Sequence, residues 1–137
     1  MRVFDAHFHI IDYRYPIYEN QGYLPPNYVV ENYREITKDL HILGGAVVSG
    51  SFQGFDQSYL IDALNKLGPS FCGVTQLPFT VSDEEIIKLN QAGVKALRFN
   101  IRRGGSEDLS NLDYLARRVY DLVGWHSELY IDAKDLP

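Results

Sequence analysis

The chain has 137 residues, enough for one ordinary domain or a piece of a larger one, and a hydrophobic share of 45% excludes a disordered chain. A formal net charge of −5 argues against nucleic acid as the main partner, and a single cysteine rules out an internal disulfide framework. No apolar run is long enough for a membrane span, and Met1–Ile10 has no basic region followed by an apolar one, so a cytoplasmic protein is expected.

Arg2–Ile10 reads as the first strand. Successive side chains on a strand alternate faces, so Val3, Asp5, His7 and His9 share one side and Phe4, Ala6, Phe8 and Ile10 the other. The expectation is that Asp5, His7 and His9 project together. Asp12–Pro26 is a loop punctuated by Pro16, Gly22, Pro25 and Pro26, and a loop of that length inside a compact domain is usually functional. Val30, Tyr33, Ile36, Leu40 and Leu43 recur at helical spacing, which predicts a helix over Asn27–Leu43 stopped by Gly44-Gly45. The second strand is predicted at Ala46–Ser51, followed by the loop Phe52–Asp56 and a helix over Gln57–Leu67. The third strand is Phe71–Leu77, where Cys72 reads as a buried, inert thiol. Ser82 with Glu85 three residues later forms a capping-box signal for a helix over Asp83–Gln91, ended by Gly93. Val94–Ile101 is strand four, Asn111–Val123 the fourth helix and Glu128–Ala133 strand five.

Strands alternating with helices imply a parallel sheet with right-handed crossovers. Two architectures fit, an open doubly wound sheet and a (β/α)8 TIM barrel. A full barrel needs on the order of 250 residues. The expected fold is therefore α/β, the N-terminal half of a TIM barrel, with about five parallel strands and four helices in a partial domain over residues 1–137. A free half barrel exposes strand edges and an open interior. Either a missing C-terminal half in a longer protein or a homo-oligomer is expected to cover them.

Barrel catalytic groups come from the C-terminal ends of strands and the loops that follow. Split by parity, strand two offers Ser49 and Ser51, strand four Val94, Ala96, Arg98 and Asn100, and strand five Glu128, Tyr130 and Asp132. Together with His7 and His9 they bring His, Ser, Arg, Asn and Tyr to one rim. Ser51, Arg98, Asn100 and Tyr130 are thus the candidate substrate-binding residues. A guanidinium fork suits a carboxylate, which favours substrate-anion binding by Arg98 over a structural ion pair with Glu128 or Asp132. His41 reads as solvated and His126 as structural, and Arg102-Arg103 and Arg117-Arg118 as solvated surface. The run Ser49–Gly54 lacks the glycine spacing and the Lys-Ser/Thr pair of a phosphate loop.

Asp5-Ala6-His7-Phe8-His9 resembles the D-x-H-x-H opening of the amidohydrolase superfamily. More closely the chain resembles amidohydrolase family 2, the TIM-barrel hydrolases related to 2-pyrone-4,6-dicarboxylate hydrolase. Gly93-Val94-Lys95-Ala96-Leu97-Arg98-Phe99-Asn100 is similar to that branch's G-V-x-x-x-R-F-N strand, and Trp125-His126-Ser127-Glu128-Leu129-Tyr130 to its W-x-x-E-x-Y strand. The resemblance implies a barrel that hydrolyses a small carboxylated lactone or amide. It makes His7 and His9 the catalytic pair and the ligands of a divalent metal where one is used. Arg98 is then the grip on a substrate carboxylate, with Tyr130 and Ser51 as further contacts. It leaves the cofactor open, zinc or manganese in one version and no metal in the other. The family's later histidine and final aspartate would fall beyond Pro137, so the chain alone is expected to be inactive. Two rival expectations remain. One is a non-catalytic, self-associating half barrel. The other is a doubly wound domain that binds small acids, in which His7 and His9 would share no pocket with Arg98.

Overall fold

The computed structural model describes residues 1–136, so Pro137, the last residue of the expected 1–137 domain, lies outside the described residues. Five parallel strands, β1 (Arg2–Phe8), β2 (His41–Val48), β3 (Phe71–Thr75), β4 (Val94–Asn100) and β5 (His126–Tyr130), lie side by side in chain order. The helices are α1 (Val30–Thr37), α2 (Ser58–Leu67), α3 (Asp83–Ala92) and α4 (Leu112–Val123). A doubly wound sheet would reverse its strand order part-way and carry helices on both faces. Here the order never reverses, and residues of all four helices join the outer strand residues Val47, Leu97 and Phe99 in one apolar cluster. The opposite face carries a second cluster of small side chains, Ala46, Val48, Val74 and Ala96. The bulky side chains pack outward under the helices and the smaller ones line the other face, and the arrangement is that of five strands and four helices of a (β/α)8 barrel.

Local signals set several boundaries. The Ser82 hydroxyl accepts from the Glu85 amide and starts α3, and Gly93 ends it in the left-handed conformation. Gly124 ends α4 in the same way, and the chain then buries Trp125, whose indole N–H donates to Asn90 Oδ1 at 3.1 Å.

The first helix is shorter than its periodicity predicts. Val30 and Tyr33 are buried, but Ile36 is 68% exposed, and Leu40 and Leu43 are exposed as well. From His41 the chain is already extended and paired to β1, with Arg2 opposite His41. His41 is exposed as expected, but on a strand. Gly44 and Gly45, which read as a helix stop, lie inside β2. A Cβ at Gly44 would run into the Ser70 carbonyl, and one at Gly45 would lie 2.6 Å from the Asp5 carbonyl oxygen. Both glycines are there because neighbouring backbone passes too close for a side chain. At the other end, β5 begins at His126 and stops at Tyr130, and Ala133–Asp135 forms a single 3-10 turn rather than strand.

Three register shifts interrupt the face alternation, at Val3/Phe4 and Asp5/Phe8 of β1 against β2 and at Gly73/Val74 of β3 against β4, and the last two bear on the site. Asp5 pairs with Gly45 and Phe8 with Val47, so β1 spends three residues where β2 spends two. Asp5 and Phe8 consequently both face the helices: Phe8 stacks on Tyr33 at 4.1 Å, and the Tyr33 hydroxyl donates to Asp5 Oδ2 at 3.2 Å. Asp5 is therefore not beside His7 and His9, contrary to the parity expectation. The extra residue of β4 between Gly73↔Val94 and Val74↔Ala96 likewise sends Val94 into the outer core, while Ala96 faces inward.

Candidate active site

The C-terminal ends of the strands open into a cleft of about 600 Å³ lined by His7, His9, Ile11, Asn20, Tyr23, Pro25, Gly50, Ser51, Phe52, Arg98, Asn100, Arg103 and Tyr130. All six sequence-predicted site residues, His7, His9, Ser51, Arg98, Asn100 and Tyr130, meet there. The small-acid-binding doubly wound alternative, which separated the histidines from Arg98, is excluded by this arrangement.

His7 reaches the cleft because the β1 bulge turns it inward. The two imidazoles sit edge to face, 5.1 Å between centroids. His9 Nδ1 lies 2.6 Å from the Val48 carbonyl oxygen, and a carbonyl only accepts, so the proton is on Nδ1 and Nε2 keeps its lone pair. Burial lowers the pKa of both rings from the ordinary 6.5; Arg98 adds to the effect on each, and His7 adds to it on His9. Both are therefore neutral near pH 7.

Arg98 is 8% exposed. Its Nη1 donates to the Ser49 carbonyl at 2.9 Å, and its guanidinium lies over the Tyr130 ring, 5.4 Å from the centroid. Burial lowers its pKa, while Glu128, on the paired position of β5, raises it. Among the described residues no carboxylate lies within ion-pair distance of Arg98; Asp132 instead pairs with Arg102 at 2.6 Å, and Glu128 Oε1 is 3.2 Å from the exposed His126. None of the residues lining the cleft is acidic, while Arg98 and Arg103 are both cationic. The site is an electropositive concavity with a buried, carboxylate-free guanidinium.

The loop after β2 is braced by amide side chains that sequence reasoning did not single out. Ser49 does not face the cleft beside Ser51: its hydroxyl lies buried against Gln57 Oε1 (2.5 Å) and the Tyr59 hydroxyl (2.7 Å). Thr75 donates to the same Gln57 oxygen at 2.8 Å. Gln53 bridges the Gly50 amide and the Ile10 carbonyl, and Gln76 Nε2 donates to the Gly50 and Gly54 carbonyls. This network fixes the Ser49 carbonyl that holds Arg98 and the backbone that presents Ser51. Asn100 Oδ1 accepts from the Arg103 amide at 3.2 Å, so its side chain shapes the loop after β4 as well as lining the cleft.

Residues 4–133 match the Amidohydrolase family. The chain belongs to this family. It is 29% identical, over 97% of its length, to a 2-pyrone-4,6-dicarboxylate hydrolase from Comamonas testosteroni, of which it covers 45%. It is 27% identical, over 91% of its length, to a 4-sulfomuconolactone hydrolase from Hydrogenophaga intermedia, of which it covers 41%. Among solved structures, a probable 2-pyrone-4,6-dicarboxylic acid hydrolase from Acinetobacter baumannii superposes with a TM-score of 0.80 at 21% identity, covering 98% of this chain and 51% of that one. A putative hydrolase of the same name from Pseudomonas putida gives 0.73 at 25% identity, covering 92% and 47%. The chain thus spans about half the length of the relatives it matches.

This amidohydrolase chain contributes two imidazoles to the cleft and no carboxylate, and among the described residues no group of three or more His, Cys, Asp or Glu side chains could hold a metal. A catalytic zinc takes about three protein ligands, so these donors do not by themselves make a metal site. Cys72 is half-buried on the inner face, where burial raises its pKa, as suits an inert thiol. Among the described residues no helix is long and apolar enough to cross a membrane. Arg103, expected as solvated surface, lines the cleft, and so do Asn20, Tyr23 and Pro25 from the long first loop. The only sequence signal for that loop was its length.

Proposed function

We propose that this chain builds the acid-binding face of a barrel hydrolase that opens a small, cytoplasmic cyclic ester bearing acidic groups. One observation carries the reading: Arg98 is buried, aimed into a cleft without a carboxylate, and placed beside a pair of neutral histidines. A desolvated guanidinium with no counter-ion gains most from a ligand carboxylate, which it takes in two parallel N–H···O bonds. Arg103 offers a second cation in the same cleft, which suits a dianion. The names of the two curated relatives, hydrolases of 2-pyrone-4,6-dicarboxylate and of 4-sulfomuconolactone, both denote anionic lactones.

In this reading Arg98 fixes one carboxylate and so places the ring. His9, its Nδ1–H tied to Val48, takes a proton at Nε2 from a water poised over the lactone carbonyl. His7 has no hydrogen bond among the described residues that fixes its tautomer, and it donates an N–H to the carbonyl oxygen as negative charge develops there. The ring C–O bond then breaks, and the proton held by His9 passes to the departing oxygen. Turnover is proposed for a completed barrel; the property proposed for this chain alone is binding of the dianion. Calorimetric titration with 2-pyrone-4,6-dicarboxylate tests it. Binding to the wild type that is lost in Arg98→Met is expected, and equal binding by both, or none by the wild type, overturns the reading.

A second reading rests on the sheet edges. β1 and β5 end the sheet, and Phe4 (58% exposed) and Leu129 (44%) stand open beside them. Association of two copies would cover these surfaces, but five strands from each give ten, two more than the eight of a barrel. Sedimentation of the dilute chain decides between a monomer and such a dimer.

A further inference from the structure

We propose that Asn20 is a positioning residue that aims the Ser51 hydroxyl at a second acid group of the ligand and anchors the loop that carries Arg103 beside it. The inference rests on the reading that the cleft binds a dianion.

The tip of the first loop is a tight hairpin. Asn20 and Tyr23 exchange backbone hydrogen bonds at 3.0 and 2.9 Å across Gln21 and Gly22. Both turn residues are left-handed, at φ +52° and +78°. Glycine adopts that conformation freely, whereas glutamine is strained there. Its side chain holds Gln21 in place: Nε2 donates to the Arg103 carbonyl at 3.2 Å. Asn20 Nδ2 donates to the same carbonyl at 2.9 Å and to Ser51 Oγ at 2.8 Å. One amide nitrogen therefore ties together the loops after β1, β2 and β4.

Proton accounting gives the tie a direction. The Arg103 carbonyl can only accept, so the nitrogen of the Asn20 amide must face it. Ser51 Oγ is then an acceptor from Asn20, and its own hydrogen has no protein acceptor among the described residues. Ser51 lines the cleft, so that hydrogen is available to a ligand oxygen. The wall opposite is equally constrained: Gly105 is left-handed at φ +74°, and a Cβ there would strike the Ser51 carbonyl. Ser51 is thus pressed from one side and oriented from the other, with Arg103 two residues from that contact.

A merely structural clasp and a positioning residue differ in what they do to selectivity. No hydrogen bond joins Arg98 to Asn20 among the described residues, so a singly carboxylated 2-pyrone held by Arg98 should bind Asn20→Ala as it binds the wild type. The 2-pyrone dicarboxylate should bind about tenfold more weakly, since one oriented donor is lost. In the Ser51→Ala background the same substitution should cost about twofold or less, because the group it orients is gone. Asn20→Asp should be worse than Asn20→Ala for the dicarboxylate, since it sets a carboxylate against the Arg103 carbonyl and the incoming anion. Calorimetric titration of the five chains (wild type, Asn20→Ala, Ser51→Ala, the double variant and Asn20→Asp) with both ligands, with circular dichroism confirming that each is folded, makes the test. Equal losses for both ligands, or a full tenfold loss retained in the Ser51→Ala background, overturns the positioning role while leaving the dianion reading intact. Absence of dicarboxylate binding by the wild type overturns both.

Discussion

Replacing Arg98 by methionine separates function from stability, because the two should move independently. Methionine roughly keeps the volume and removes every N–H. A two-pronged charge-assisted bond to a carboxylate contributes about 3 kcal/mol, so the dicarboxylate should bind Arg98→Met roughly a hundredfold more weakly. Folding has terms of both signs. The variant loses the 2.9 Å bond to the Ser49 carbonyl and the stacking of the guanidinium over Tyr130, together about 1–2 kcal/mol. It is also relieved of a guanidinium that burial disfavours and that no carboxylate compensates, a cost discounted because the cleft leaves part of the group in water. The two sides are of similar size, so stability should stay within about 1 kcal/mol of wild type. Urea denaturation and calorimetry on the same samples measure both. If Arg98→Met loses more than about 3 kcal/mol of stability while affinity falls only a few-fold, Arg98 is a structural brace and the argument from a missing counter-ion fails.

Tyr33→Phe removes the bond to Asp5 and should cost about 1 kcal/mol of stability with ligand affinity unchanged, and Asp5→Ala should likewise spare affinity; a large affinity loss in either would put Asp5 back beside the histidines. Gly105→Ala meets both a left-handed backbone and the Ser51 carbonyl, so about 2 kcal/mol of stability and much of the dicarboxylate affinity should go together, and a neutral result would mean the two loops are not in contact. Trp125→Ala should cost about 3–5 kcal/mol in urea denaturation, since the ring is buried and its N–H leaves Asn90 unpartnered. His7 and His9 are both held below 6.5 by burial, so in the window just below that value the unfolded chain binds more protons than the native one. Stability should therefore rise with pH through that window and level off above 6.5; the His7→Gln, His9→Gln double variant should flatten the slope, and an unchanged slope would refute the assignment.

The alternation of strand and helix, the parallel sheet and the rim of the cleft were legible in the amino-acid order, because each depends on short-range periodicity. The pairing of His7 with His9, Arg98 and Asn100 at the end of β4, and Tyr130 at the end of β5 could be placed from parity within a strand, whereas the position of Asp5 could not. The bulges could not. An extra residue in β1 is defined against the partner strand, and nothing in Asp5-Ala6-His7-Phe8 shows that Asp5 will turn to Tyr33 while His7 turns to the cleft. The end of α1 was equally invisible: Ile36, Leu40 and Leu43 continue a helical stripe, yet pairing with β1 claims the backbone from His41 onward. Asn20 and Arg103 entered the site only through the fold, since an 83-residue separation is closed by a hydrogen bond between two loops with no periodicity to read. The sequence by itself determined which groups a barrel of this kind could offer to a ligand. Only the tertiary structure decided which of them face it, because facing is set by strand register and by contacts between loops far apart in the chain.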